Sequence, residues 1–166
     1  MDGVDVSLIK SDGLSKYNTI SNKYFEYDKN LYQDLTNIRD KISNSKDLKI
    51  LSKDLKYIEK KITLFHAEAV NEMTKKITVE IDFIGFHGQT IFHNSDEKIS
   101  RQLGDGKLLS QLTKKTVVYN FRENDLDNGG EGAPLAPIFH QLMVKENKID
   151  LPVCILNIGG IANITA

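Results

Sequence analysis

The sequence predicts an α/β domain built on a mixed β-sheet with flanking helices. Segments of alternating or β-branched apolar residues take turns with segments whose apolar residues recur every three or four positions, and that exchange of periods marks α/β architecture. The length and composition agree: 166 residues, 40% hydrophobic and 27% charged, suffice for one real core and argue against disorder.

Residues 4–9, VDVSLI, read as an opening strand, and the more polar YNTISNKYFEYD, 17–28, as a second. A helix begins near Asn30, where Leu31, Leu35, Ile38 and Ile42 fall at 4-3-4 spacing. A longer series, Leu48, Leu51, Leu55, Ile58, Ile62, Phe65, Ala69 and Met73, predicts one helix of about eight turns, which covers a sheet face or packs on a neighbour; coiled-coil pairing is the alternative. VEIDFIGFHGQT, 79–90, is a strand running into a small polar turn, GKLLSQLTKK, 106–115, a short helix, and TVVYNF, 116–121, a β-branched strand. Residues 121–137, FRENDLDNGGEGAPLAP, then read as a charged, Gly- and Pro-rich loop. APIFHQLMVKE, 136–146, is a helix, and 151–166 a strand turning at Gly159-Gly160 into another. The lone Cys154 has no internal disulfide partner and is expected to be a small buried hydrophobe.

A formal net charge of -1, with 22 Lys and Arg against 23 Asp and Glu, leaves no basic surplus for a phosphate backbone, so small ligands are favoured over nucleic acid. No run approaches the roughly 20 apolar residues of a membrane span, and MDGVDVSLIK lacks a signal-peptide layout, so the cytoplasm is the expected location. No Cys/His spacing suits a metal, and His66 and His140 are read as packing or surface residues.

Polar loops at strand ends collect ligands in α/β sheets. HGQT supplies an imidazole, a carboxamide and a hydroxyl at His87, Gln89 and Thr90 beside Gly88, a set suited to a sugar or other polyol. In FRENDLDNGGEGAP, Arg122 can bind an anion or fix a carboxylate, and Asp125 can act as a general base. Gly129, Gly130 and Gly132 let backbone amides face a substrate; the bland reading is a flexible turn. NIGGIANIT pairs Asn157 and a second Asn with Gly159 and Gly160, which alone is a common hairpin signal.

Together, IGFHGQTIFH, the run from QLGDGKLLSQ through NFRENDLDNGGEGAPLAPIFH, and LNIGGIANIT resemble the anhydro-N-acetylmuramic acid kinase family of the actin, hexokinase and heat-shock ATPase superfamily. The resemblance implies the first domain of an actin-like, hexokinase-like (ribonuclease H-like) ATPase fold. It implies that ATP, water and 1,6-anhydro-N-acetylmuramic acid give ADP and N-acetylmuramic acid 6-phosphate in cell-wall sugar reuse, with Mg²⁺ on the phosphates. Asp125 matches the base, while His87, Gly88, Gln89, Thr90, Arg122, Gly129, Gly130 and Glu131 fall on the sugar side. Met1, Asp2, Gly3, Val4 and Asp5 look like the latter part of the N-terminal phosphate loop, and Asn157, Gly159 and Gly160 fall on the nucleotide side.

Asn120 stands where an Asp often precedes Phe-Arg, and Glu131 where a Gln often lies between the glycines, which favours Asp125 as base and leaves Glu131 a charge near the substrate. The phosphate loop's Gly-Thr-Ser and a second domain are not in the sequence, so a chain truncated at both ends and inactive alone is expected; the family implies a homodimer for the intact enzyme. The competing function class is a non-catalytic nucleotide-binding module of the same fold. Phosphate transfer to the anhydro sugar separates the two.

Overall fold

The computed structural model describes residues 2–158 and 162–166. Its elements run β1 (Gly3–Ser11), β2 (Tyr17–Glu26), α1 (Lys29–Arg39), α2 (Ser45–Ile50), α3 (Ser52–Thr74), β3 (Phe83–Phe86), β4 (Gln89–Asn94), β5 (Ile99–Leu103), α4 (Gly106–Thr113), β6 (Thr116–Tyr119), α5 (Phe121–Asp127), α6 (Ala136–Glu146), β7 (Ile155–Asn157) and β8 (Asn163–Thr165). They form two compact units, one holding the residues up to Val6 with Lys23–Gly132, the other Ser7–Asn22 with the residues from Ala133 onward. The α/β class with mixed pairing is borne out. Among the described residues the pairing is divided into four two-stranded ribbons, β1-β2, β3-β6, β4-β5 and β7-β8.

In the first unit Asp28 opens α1 by accepting from the amides of Asn30 and Leu31. Leu31, Leu35 and Ile38 then face inward as their spacing predicts. The expected eight-turn helix is two helices. Asn44 and Asp47 form a capping box that starts α2, and Leu51 (φ -89, ψ 12) leaves the helical region before α3 begins. An apolar period reports which side faces the core and does not report a one-residue break. Leu35 and Ile62 have no exposed surface and meet Val4, Tyr27, Leu55, Ile58, Ile91 and Leu103 in the larger core; each such fully buried side chain is worth about 1.5–3 kcal/mol. Burial first, and the neighbouring Tyr24 second, push the Tyr27 hydroxyl up to about 12. Helix α3 packs on α1, α4 and β5 of its own unit, so its stripe is core rather than a coiled-coil seam.

A smaller core of Ala67, Phe86 and Leu109 sits under the ribbon β3-β6, with Ile84, Val117 and Tyr119 around it. The expected strand over 79–90 is divided: Phe83–Phe86 ladder with β6, while Gln89 and Thr90 already belong to β4 and pair with β5. β3 and β6 pair in parallel, in the register Phe83↔Thr116 to Phe86↔Tyr119. Between them run the β4-β5 hairpin and α4, so the connection crosses over as a parallel pair requires. That hairpin carries a register shift between Thr90 and Phe92.

Helix α3 brackets the end of β5 through side chains. Glu59 Oε1 accepts from Arg101 Nη2 at 2.8 Å and from the Gly104 amide at 3.2 Å. Thr63, fully buried, donates to the Glu59 carbonyl at 2.7 Å and accepts from the Asp105 amide at 2.9 Å. Asp105 in turn caps α4 through the Leu108 amide. Gly104 and Gly106 then press on the rings of Phe86 and Tyr119, where any side chain would collide.

In the second unit the β1-β2 turn is held by Asp12, whose carboxylate accepts from the amides of Leu14, Ser15 and Lys16; these bonds hold its carboxyl well below the usual carboxylate range. Tyr17 and Phe139 on α6 meet with ring centroids 5.1 Å apart. β7 and β8 pair antiparallel with Asn157 opposite Asn163, as a strand that turns back on itself should. The Gly159-Gly160 turn lies outside the described residues. Cys154 is exposed rather than buried, because the three-residue strands beside it pair with each other and leave most of their residues open to solvent.

Thr63→Val should cost about 1–3 kcal/mol, since the isosteric side chain fills the same space yet leaves the Asp105 amide without its acceptor. Urea unfolding of the two proteins measures this, and an unchanged midpoint would show that the Thr63 bracket does not hold the β5-α4 connection.

Candidate active site

Because β3 and β6 run in parallel and end on the register pair Phe86 and Tyr119, the chain leaves both strands at the same edge. His87-Gly88-Gln89-Thr90 follows the first, and Asn120-Phe121-Arg122 follows the second. Asn120 makes the turn into α5 with φ 62 and ψ 34, a left-handed conformation that Asn tolerates, and its Nδ2 donates to Glu123 Oε2 at 2.8 Å. Its amide therefore does local work.

Residues 121–127, expected as loop, form the two-turn helix α5. Arg122 and Asp125, three apart, thereby share one helical face. Arg122 Nε donates to His87 Nε2 at 2.8 Å, and Arg122 Nη1 donates to the Gly132 carbonyl at 2.7 Å. The Gly132 amide donates to Asp125 Oδ2 at 2.8 Å. An unbroken path thus runs from His87 through Arg122 and Gly132 to Asp125. Within it the imidazole has one consistent tautomer: Nε2 accepts, so the proton is on Nδ1, which donates to the Gly88 carbonyl at 2.9 Å. Loss of solvent around the ring, with the Arg122 guanidinium beside it, pushes His87 below its ordinary value of 6.5 against the opposing pull of the Gly88 carbonyl. Burial likewise lowers the Arg122 guanidinium from its ordinary value, and it stays charged at neutral pH.

The glycines serve this arrangement differently from the expectation that their amides face a substrate. The Gly130 amide donates to the Asp125 carbonyl at 2.8 Å, and the Gly132 amide is taken by the Asp125 carboxylate. A side chain at Gly130 would collide with that carboxylate; close approach is what requires glycine there. Gly129 and Glu131 are exposed beside them. Gln89 and Thr90 open β4 and are half-buried, with Gln102 Nε2 reaching Thr90 Oγ1 at 3.4 Å.

The residues expected on the nucleotide side lie on other elements. Gly3, Val4 and Asp5 lie on β1, with Val4 buried in the larger core and Asp5 exposed. The Asp2 carbonyl accepts from the Tyr27 amide at 2.8 Å. Asn157 is exposed on β7 of the second unit, while Met1, Gly159 and Gly160 lie outside the described residues. His66 is a packing residue as expected: its Nδ1 meets the Ile62 carbonyl at 2.8 Å, its ring sits edge-on to Phe86, and burial lowers its pKa. His140 is half-buried against Thr165 Oγ1 at 2.8 Å. His93 was not marked by pattern, yet a methyl added at Gly132 would lie 3.2 Å from its Cε1. Strand alternation is the only signal that could have found it, and the register shift at Thr90/Phe92 scrambles that signal.

A family model described as anhydro-N-acetylmuramic acid kinase matches residues 1–166. The chain is 62% identical over 165 residues to the anhydro-N-acetylmuramic acid kinase of Pelagibacter ubique, covering 99% of this chain and 44% of that one. It is 40% identical over 171 residues to the enzyme of that name from Zymomonas mobilis and 37% identical over 170 residues to that from Agrobacterium fabrum, covering 99% of this chain and 46% of each. It spans less than half the length of these curated relatives.

Since the native pKa of His87 lies below its unfolded value near 6.5, the unfolded state binds more protons as the pH falls, and the stability tied to this ring is present above about pH 6.5 and lost on acidification toward the native pKa. NMR titration of the ring should give a midpoint under 6.5, and Arg122→Gln should move it up by removing the adjacent cation. A midpoint at or above 6.5 in the unaltered protein would mean that the His87–Arg122 contact is not formed in solution.

Proposed function

The chain belongs to the anhydro-N-acetylmuramic acid kinase family, and from that premise we propose that it supplies the sugar-side catalytic surface of an ATP-dependent kinase. The reaction opens 1,6-anhydro-N-acetylmuramic acid with water and phosphorylates it to N-acetylmuramic acid 6-phosphate in cell-wall recycling. The observation that carries this reading is the juxtaposition of the HGQT and FREND segments at one strand edge, with Asp125 held by the Gly132 amide.

The chemistry needs a base at the sugar. Water attacks the anomeric carbon and gives up a proton to Asp125 while the bond from that carbon to the 6-oxygen breaks; the freed 6-oxygen takes the γ-phosphoryl group and ADP leaves. The proton then passes from Asp125 to solvent. Asp125 is half-buried, which keeps it reachable by substrate and partly shielded from bulk water. The Gly132 N–H on Oδ2 fixes the carboxylate's plane, so the base is set in place before water arrives. Gln89 and Thr90, from the same edge, offer a carboxamide and a hydroxyl to the sugar's polar groups, and the exposed Glu131 adds a second carboxylate beside it.

ATP is the phosphoryl donor, with residues 2–5 on its side of the reaction. Among the described residues no three His, Cys, Asp or Glu side chains converge to cage a metal. Mg²⁺ seldom asks for such a cage: it keeps waters and phosphate oxygens and takes one or two carboxylates, for which Asp2 and Asp5 are this chain's candidates. Bound there, it would neutralise charge on the phosphates. A cytoplasmic homodimer is the setting we assign to the intact enzyme; among the described residues no helix is long and apolar enough to cross a membrane.

In a full-length family enzyme carrying this sequence, Asp125→Asn should preserve folding, because the amide oxygen can still accept from Gly132, yet lower turnover by roughly 10²- to 10⁴-fold. ADP release in the presence of anhydro sugar, Mg²⁺ and ATP reports it. Unchanged turnover would remove Asp125 as base and point to Glu131, and a protein that releases no ADP in response to the sugar would instead be a binding module.

A further inference from the structure

We infer that Arg122 is a positioning residue: it sets the Asp125 carboxylate through Gly132 and does not serve as an anion-binding contact for the sugar. The proposal rests on Asp125 being the base. An arginine beside a sugar acid would ordinarily be read as a carboxylate clamp, since its planar fork matches two anionic oxygens. Here two arms of that fork are already committed within the chain, Nε to His87 Nε2 at 2.8 Å and Nη1 to the Gly132 carbonyl at 2.7 Å. The same residue, through the preceding peptide unit, donates its amide to Asp125 Oδ2 at 2.8 Å. Arg122 and Asp125 are thus joined through one glycine, Arg122 pulling on its carbonyl and Asp125 on its amide.

The surroundings of that glycine show why it transmits position. Gly132 is buried, and a methyl built on it would lie 3.0 Å from Leu126 Cγ, 3.2 Å from His93 Cε1 and 3.3 Å from the Arg122 carbonyl. The glycine is therefore confined from three sides and has little room to shift while its two hydrogen bonds are kept. His87 steadies the other end. Its Nδ1 proton is committed to the Gly88 carbonyl, which leaves Nε2 as an acceptor pointed at Arg122. Without the Nη1 bond, Gly132 loses the restraint on its carbonyl side, and a displacement of the base by about 1 Å can cost on the order of 100-fold in rate.

The test compares Arg122→Lys, Arg122→Ala and His87→Leu with Asp125→Asn in a full-length family enzyme carrying this sequence, reading kcat and KM for the anhydro sugar and sugar binding by calorimetry. Lysine keeps the charge but cannot span His87 and the Gly132 carbonyl at once, so it should lose about as much kcat as alanine, on the order of 10- to 100-fold, with KM and sugar affinity within about 2-fold of the unaltered enzyme. His87→Leu keeps the arginine and removes its Nε partner; it should lower kcat in the same sense with KM unchanged, and His87→Gln, which restores an acceptor, should recover most of it. A raised KM with kcat retained in Arg122→Ala, or near-full activity in Arg122→Lys, would overturn the proposal in favour of a direct charge contact with substrate. If Arg122→Ala does not fold, His87→Leu decides, and unchanged kcat there overturns it. Full activity in Asp125→Asn would be a separate failure, that of the base assignment itself.

Discussion

Everything at the candidate site depends on the parallel pairing of β3 with β6. Two four-residue strands are a small ladder, and a ribbon of that size is marginal in water on its own. Its stability comes from packing: Phe86 and Leu109 are buried beneath it with Ala67 of α3, and Tyr119 lies at the margin of the same cluster. Two glycines of the β5-α4 connection sit on the rings of Phe86 and Tyr119, the last register pair of the ribbon. The exits of both strands are consequently fixed together, and with them the starting points of HGQT and FREND. An antiparallel arrangement of the same strands would have sent those segments to opposite ends.

The β5-α4 connection is itself held from α3. Glu59 gathers Arg101 and the Gly104 amide, and Thr63 takes the Asp105 amide one turn further along the helix. These bonds are formed by partly or wholly buried groups, where an unmade partner costs more than a made bond contributes. A helix whose apolar stripe reads as simple packing therefore also places the site, through two polar residues on the same side. The route from core to chemistry is short: α3 to the Gly104-Gly106 loop, that loop to the ends of β3 and β6, and those ends to His87 and Arg122.

At the site, glycine appears where backbone must approach a carboxylate. Gly130 lies against the Asp125 side chain, and both neighbouring amides turn toward Asp125. A polar loop that reads as a substrate cradle is in this structure a holder for the Asp125 side chain. It satisfies Asp125 with neutral donors and leaves the guanidinium of Arg122 one residue removed from it, so the carboxylate is oriented by hydrogen bonding rather than by an ion pair.

Much of this was legible in the order of residues. The period of α1 and most of α3 marked their inward faces, the β-branched run at 116–119 marked β6, and the motifs around 87 and 122–132 marked the segments that the structure joins by the His87–Arg122 bond. These are properties of local spacing, which a chain carries wherever it folds. What local spacing could not decide were features set by partners distant in sequence. The length of β3 was fixed by how much of β6 lay opposite it and the exposure of Cys154 by a ribbon too short to bury it, while the break at Leu51 is a local departure in φ and ψ that leaves the apolar period intact. The placement of His93 beside Gly132 was hidden by a bulge that changes which face a strand residue takes. Above all, the sequence supplied an arginine, an aspartate and three glycines within eleven residues, and only the folded backbone decided that Arg122 and Asp125 would meet through the two sides of Gly132, because hydrogen-bond direction is set by backbone orientation and not by residue order.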